Sequence, residues 1–142
     1  MSSSIKLSVA AAELMAQRKD LGALATKMGI ELVELSAERA VATMPVEGNT
    51  QPIGLLHGGA HLVLAESLGS MAANVWAWPA RVAVGIEINA SHTRSATSGL
   101  VTGTCTALNL GKSLTLHEIV ITDEKGQRLS TVRITNFLRD RN

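Results

Sequence analysis

Two groups in one stretch of this chain could do chemistry: the backbone of Gly58-Gly59 and the carboxylate of Glu66. They lie in QPIGLLHGGAHLVLAESLGSMAANVWAW, Gln51 to Trp78, which starts as a Pro/Gly loop and becomes a long apolar run. From Gly58 the run is about twenty residues, too long for an ordinary strand and rich in Ala, Leu and Met, so it reads as helix. The first N–H groups of a helix have no internal partners and carry the positive end of its dipole. Glycines there leave that backbone open to a ligand. The tip can therefore hold negative charge developing on an oxygen. Glu66 follows eight residues later, about 12 Å along the axis. Ser70 and Asn74 continue its face at i+4 and i+8 as one thin polar stripe.

Apolar residues lie on nearly every side of this helix: Leu62, Val63, Leu64, Leu68, Met71, Ala72, Val75 and Trp76. Such a helix is expected to be buried. A membrane span is the rival reading, but Glu66, His61, Asn74 and two serines, with no basic flank, argue against it. A lone carboxylate in such a helix is rarely placed for stability, because burying it costs several kcal/mol without a partner. The bland alternatives are a buried salt bridge or an exposed helix edge. His57 reads as support for the tip rather than as an acid–base group. His61 and His117 read as satisfied structural or surface histidines, and Cys105 as a small core residue.

The elements that must position these groups follow from periodicity. Ser8 caps a helix running to about Arg18, and Leu21 to Met28 is a second short helix ended by Gly29. Together they make residues 1–28 an N-terminal helical segment. Ile30–Leu35 and Arg39–Met44 read as strands. After Pro79 the period becomes two: Val82, Val84, Ile86 and Ile88 alternate with Ala83, Gly85, Glu87 and Asn89. Leu100–Leu108, Leu114–Thr122 and Leu129–Leu138 are further strands, the last two joined by the turn Asp123-Glu124-Lys125-Gly126. Short connections predict an antiparallel meander. The fold class is α+β, with a curved antiparallel sheet packed on one long central helix.

The totals narrow the function. The 142 residues fit a single domain, 1–142. Hydrophobic residues at 46% and charged residues at 18% describe a compact chain rather than a disordered one. A net charge of +1 and 2% aromatics give no case for nucleic acid. The single cysteine cannot form an internal disulfide, and Ser2 to Ser8 lacks a leader pattern, so a cytoplasmic protein is expected. The four histidines and one cysteine are scattered, without metal-ligand spacing.

Gln51-Pro52, GLLHGGA (Gly54 to Ala60), LAESLGS (Leu64 to Ser70), EINASHTRSA (Glu87 to Ala96), Gly99 to Cys105 and LNLGKS (Leu108 to Ser113) carry a family likeness. From about Gly29 onward the chain resembles the hotdog-fold acyl-CoA thioesterases. The likeness is greatest to the Glu-dependent 4-hydroxybenzoyl-CoA and 1,4-dihydroxy-2-naphthoyl-CoA thioesterase group, with the aroyl-carrier-protein proofreading thioesterases nearby. HGG before a helix is shared by many hotdog proteins; HGG with LAE at this spacing, plus N-A-x-H-x-R-S-A, is specific. Some relatives have Thr where this chain has Ser70.

The resemblance implies the hotdog fold and hydrolysis of an aromatic acyl-CoA to the free acid and CoA. No metal or other cofactor is implied, coenzyme A being part of the substrate. Glu66 would be nucleophile or general base, and Gly58 N–H would polarise the thioester carbonyl. Gln51 and His57 would support that end, with Ser67 and Ser70 beside the carboxylate. His92, Arg94 and Ser95, just past a strand end, would contact coenzyme A, as would Lys112 and Ser113; Arg suits a phosphate. Dimers paired into tetramers are also implied.

Geometry bears on the dimer independently. Reacting atoms must approach within about 3–3.5 Å, and the tip and Glu66 of one rigid helix are too far apart to grip one carbonyl. The expected site combines Gly58 of one subunit with Glu66 of another. The rival classes are a hotdog hydratase or dehydratase and a non-catalytic acyl-CoA-binding protein.

Overall fold

The computed structural model describes residues 4–141; residues 1–3, part of the expected 1–28 helical segment, and residue 142 lie outside it. The elements are β1 (Lys6–Leu7), α1 (Val9–Arg18), α2 (Ala23–Lys27), β2 (Glu31–Leu35), β3 (Arg39–Pro45), α3 (Gly58–Ala77), β4 (Arg81–His92), β5 (Leu100–Leu110), β6 (Leu114–Thr122) and β7 (Arg128–Asp140). Ser8 caps α1 as expected, its hydroxyl accepting from Ala11 N–H. β1 had no signal in the sequence: it is two residues long and pairs in parallel with the end of β2.

One sheet has the order β1-β2-β3-β5-β6-β7-β4, antiparallel throughout apart from β1 and β2. Only β5, β6 and β7 form the expected meander. β4 pairs with β7 at the far edge, and β3 pairs with β5. The twenty residues of α3 carry the chain across the sheet, so the next strand is laid down at the far edge, separated from β3 by β5, β6 and β7. Periodicity reveals which residues face inward but carries no information on strand order.

The inward faces build the core. On β6, Thr115, His117, Ile119 and Ile121 are buried and alternate with half-buried neighbours. Ile119 and Ile121 join Leu64, Leu68 and Ala72 of α3, together with Val101, Cys105, Val132 and Ile134, in one cluster. Helix and sheet approach closely where side chains are missing. A Cβ at Gly69 would lie 2.4 Å from Ile134 Cγ2, and one at Gly103 would lie 2.8 Å from Leu68 Cδ1. Asn74 locks the far end of α3: its Oδ1 accepts from Ala83 N–H at 3.0 Å and from Arg18 at 3.1 Å. Among the described residues no helix is long and apolar enough to cross a membrane.

Gly69→Ala tests this close approach. Alanine favours an exposed helix interior by about 1 kcal/mol, but overpacking a filled core costs about 1–3 kcal/mol. The variant should therefore unfold at lower urea concentration than the parent, despite its better helix propensity.

Candidate functional site

The tip of α3 is shaped by its own loop. His57 is the N-cap: its extended backbone turns the chain into the helix, and its Nδ1 accepts from Gly59 N–H at 2.8 Å. Ala60 N–H returns to His57 O. Gly58 N–H has no acceptor among the described residues. The capping thus consumes its neighbours and leaves Gly58 as the open donor. Gln51 Oε1 accepts from Ile53 and Leu55 N–H at 2.7 and 3.3 Å, folding the loop before the helix.

A cavity of about 410 Å³ opens at this tip, lined by Gln51, Gly58, His61, His92, Arg94 and Ser95 among others. Two elements meet here: the first turn of α3 and the end of β4. His92 is the last residue of β4 rather than a loop residue beyond it. Its Nε2 lies 3.1 Å from where a Cβ of Gly58 would be, so the ring lies against the donor glycine. Its Nδ1 is 2.9 Å from Ser130 Oγ, and Ser130 Oγ donates to Ser91 O at 3.3 Å. The ring is thus held from its Nδ1 side, with Nε2 turned toward Gly58. Arg94 and Ser95 are exposed at the rim.

His61 departs from the sequence expectation that it is satisfied or at the surface. It is 2% exposed, and its Nδ1 has no hydrogen-bond partner. Its ring is 4.9 Å from that of His92. Burial, reinforced by His92, pushes its pKa down to about 4, so it stands as a neutral imidazole at the tip. His117 is held by Ala37 O through Nε2, but its Nδ1 is also unpartnered. Burial lowers its pKa too.

Glu66 belongs to a different cavity. It is exposed within the single chain and forms no ion pair among the described residues. Of the readings weighed above, the exposed helix edge describes its surroundings in one chain, not the buried salt bridge. It lines a cavity of about 260 Å³ with Leu21, Leu24, Ala25, Val63, Ser67 and Ser70. Ser67 Oγ is committed to Val63 O at 2.7 Å, while Ser70 Oγ makes a long 3.5 Å contact with Asn136 Oδ1. The carboxylate lies over Gly85: a Cβ there would be 2.9 Å from Glu66 Oε2. Gly85 adjoins a bulge in β4 and pairs with Asn136 of β7. Alternation alone gives Gly85 no role, although a glycine within a strand pattern signals a bulge or a close approach.

The remaining expected residues are placed elsewhere. Lys112 and Ser113 are at the opposite end of α3 from Gly58, where Trp76 Nε1 donates to Gly111 O and Arg81 bonds Lys112 O. They line neither cavity. Trp78 reaches Glu13 and stacks against Arg141. Cys105 is buried, and burial pushes its thiol up to about 12, so it stays protonated. Among the described residues no group of three or more His, Cys, Asp or Glu side chains could hold a metal ion.

The Thioesterase superfamily model matches residues 53–130. The chain is 47% identical to the proofreading thioesterase EntH of Cronobacter turicensis, across 81% of this chain and 85% of that protein. It is 44% identical to the 1,4-dihydroxy-2-naphthoyl-CoA hydrolase of Escherichia coli, across 78% and 82%. Among solved structures, a mutant thioesterase of Pseudomonas aeruginosa superposes with a TM-score of 0.83 at 35% identity, covering 92% of this chain and 94% of that one. A thioesterase of Haemophilus influenzae gives 0.80 at 32%, covering 90% and 87%.

Two outcomes test the site geometry. Gly85→Ala should leave the fold intact, because the atom in its way is the end of a flexible side chain, yet displace the Glu66 carboxylate; kcat should fall by about a hundredfold with little change in the urea midpoint. The second concerns pH. His61 binds a proton less readily folded, at about 4, than unfolded, at 6.5. Its contribution is therefore complete above 6.5 and declines as pH falls toward 4. His117 acts in the same direction. Unfolding midpoints measured across that window should fall with pH, and His61→Ser should flatten the decline.

Proposed function

Because this chain belongs to the thioesterase superfamily and is itself a thioesterase, we propose that it hydrolyses an aromatic acyl-CoA at a site shared by two copies. Gly58 N–H of one copy gathers negative charge on the thioester oxygen, and Glu66 of the other acts as nucleophile or as general base on water. The names of the relatives support an aromatic acyl group, since one is called a dihydroxynaphthoyl-CoA hydrolase.

The observation that carries the shared site is the course of β4. Its Gly85 lies under Glu66 and its His92 lies against Gly58, while its other edge is unpaired among the described residues. Val84 and Ile86 are exposed on it, 40% and 58%. A long, partly apolar edge is a template for another strand. Antiparallel pairing with a second β4, centred between Ile88 and Asn89, sets Gly85 of one strand beside His92 of the other. That register brings each Glu66 to the other copy's helix tip. In one copy alone the two groups line separate cavities.

The chemistry then follows. Negative charge on the carbonyl oxygen develops at the open N–H of Gly58, at the positive end of α3. Glu66 attacks the carbonyl carbon, expelling CoA thiolate and forming a mixed anhydride that water cleaves; otherwise it takes a proton from a water that attacks. A thiolate of pKa about 8.5 leaves without a strong acid. Arg94, Ser95 and His92 hold the coenzyme A side at the cavity rim, Arg94 toward phosphate. Gln51 and His57 act by folding and capping the loop, and Ser67 and Ser70 lie beside the carboxylate. Lys112 and Ser113 have no part in this reading. The pairing supports dimers, the single free cysteine fits a cytoplasmic setting, and the exposed row Val84, Phe137 and Leu114 on the outer sheet face supports pairing of dimers into tetramers.

Subunit mixing tests the shared site. Glu66→Ala and Gly58→Val should each be nearly inactive alone. Refolded together, half of the sites in each mixed pair are unmutated, so activity should recover to about a quarter of the parent's, as two-fold symmetry requires. No recovery, with mixed pairs shown by mass spectrometry to have formed, would place both groups in one subunit's site. A single turnover in labelled water separates the two routes: label found in Glu66 indicates the anhydride.

A further inference from the structure

The cavity beside Glu66 is walled by α2, a segment that lies outside the matched residues 53–130. We propose that α2 is the outer wall of the acyl subsite, where Leu21, Leu24 and Ala25 face Val63 and Ser70 and take a compact, uncharged, apolar acyl group. This inference rests on the reading of Glu66 as the catalytic carboxylate.

Three observations meet here. The first is composition: the wall facing the carboxylate, Leu21, Leu24 and Ala25, is hydrocarbon, Val63 extends it on α3, and the Ser67 hydroxyl beside Glu66 is already bonded to Val63 O at 2.7 Å. The carboxylate has no cation paired with it among the described residues, so an acyl group carrying its own carboxylate meets only repulsion. The second is size. At about 260 Å³ the cavity falls below the roughly 300–1,000 Å³ of clefts that hold whole drug-sized ligands. It suits the acyl end of a thioester, leaving coenzyme A to the cavity at a helix tip. The third is exposure: Leu24 is 58% exposed at the mouth while its neighbour Ala25 is 2% exposed. A leucine held open beside a carboxylate gains apolar contact when an acyl group enters, and it excludes water from the reacting carbon.

The wall is fixed, as a size filter must be. Asp20 Oδ1 accepts from Gly22 N–H at 2.8 Å, setting the start of α2. Gly29, at φ 76°, ends the turn against Pro45, with no room for a Cβ. Asn49 Nδ2 donates to both Met28 O and Pro45 O at 2.8 Å, and Asn49 O accepts from His57 N–H at 2.9 Å. The loop that presents Gly58 therefore also holds α2.

The test is the ratio of kcat/KM for benzoyl-CoA to that for acetyl-CoA. Leu24→Trp, at a largely exposed position that tolerates bulk, narrows the mouth and should lower this ratio at least about tenfold, the scale on which apolar pockets discriminate. Leu24→Ala removes contact and should lower it by a smaller factor. Val9→Ser, which removes an exposed apolar side chain from α1, should leave it unchanged. Calorimetry with non-hydrolysable ketone analogues of the two thioesters reads the same selectivity without turnover. If Glu66→Ala abolishes hydrolysis while Leu24→Trp alters neither the kinetic nor the binding ratio, the subsite is wrong and the shared-site reading survives. If Leu24→Trp selectively weakens the benzoyl analogue while Glu66→Ala still turns over, the subsite stands and the role of Glu66 falls.

Discussion

Missing side chains let α3 lie hard against the sheet, and the rest of the molecule depends on that contact. Gly69 admits Ile134, and Gly103 admits Leu68 and Leu64. Gly85 gives the Glu66 carboxylate its seat. Packed this way the helix has no freedom to bend or slide, because close-packed interiors deform little. Its two chemical groups are therefore held at a fixed spacing. That rigidity orients them, and it also prevents them from meeting within one copy.

The two ends of the arrangement differ in electrostatic character. At the tip, imidazole rings surround an open N–H, and the ring nearest it turns its Nε2 toward the glycine. His61 remains uncharged there because burial removes the hydration its cation would need. At the other end a carboxylate faces hydrocarbon with no cation to quench it. Bringing such ends together confronts a positive dipole terminus with an anion across a small, largely apolar space.

Much of this was legible in the sequence, for definable reasons. Length and composition marked α3 as a long apolar helix, and its glycine tip and lone acid stood out against that background. Alternation marked the inward faces of β4 to β7. The position of β4 beside β7 was not legible, because alternation describes faces and not neighbours. His61 was misread because a histidine in an apolar helix has no local mark of whether its second nitrogen finds a partner. Gly85 was overlooked because its role depends on a side chain nineteen positions earlier in the chain. Leu21 and Leu24 resembled ordinary helix residues until the fold set them opposite Glu66.

One amide side chain has a further consequence. Asn49 ties the last carbonyl of α2's turn to the loop that ends in Gly58. In the proposed symmetric pair, the acyl wall serving one reaction centre would thus be anchored to the helix tip serving the other. In that pair the two centres would be mechanically in series, so that strain from an oversized guest in one would reach the neighbour. Such coupling would require no hinge and no domain motion, only one hydrogen-bonded side chain in each copy.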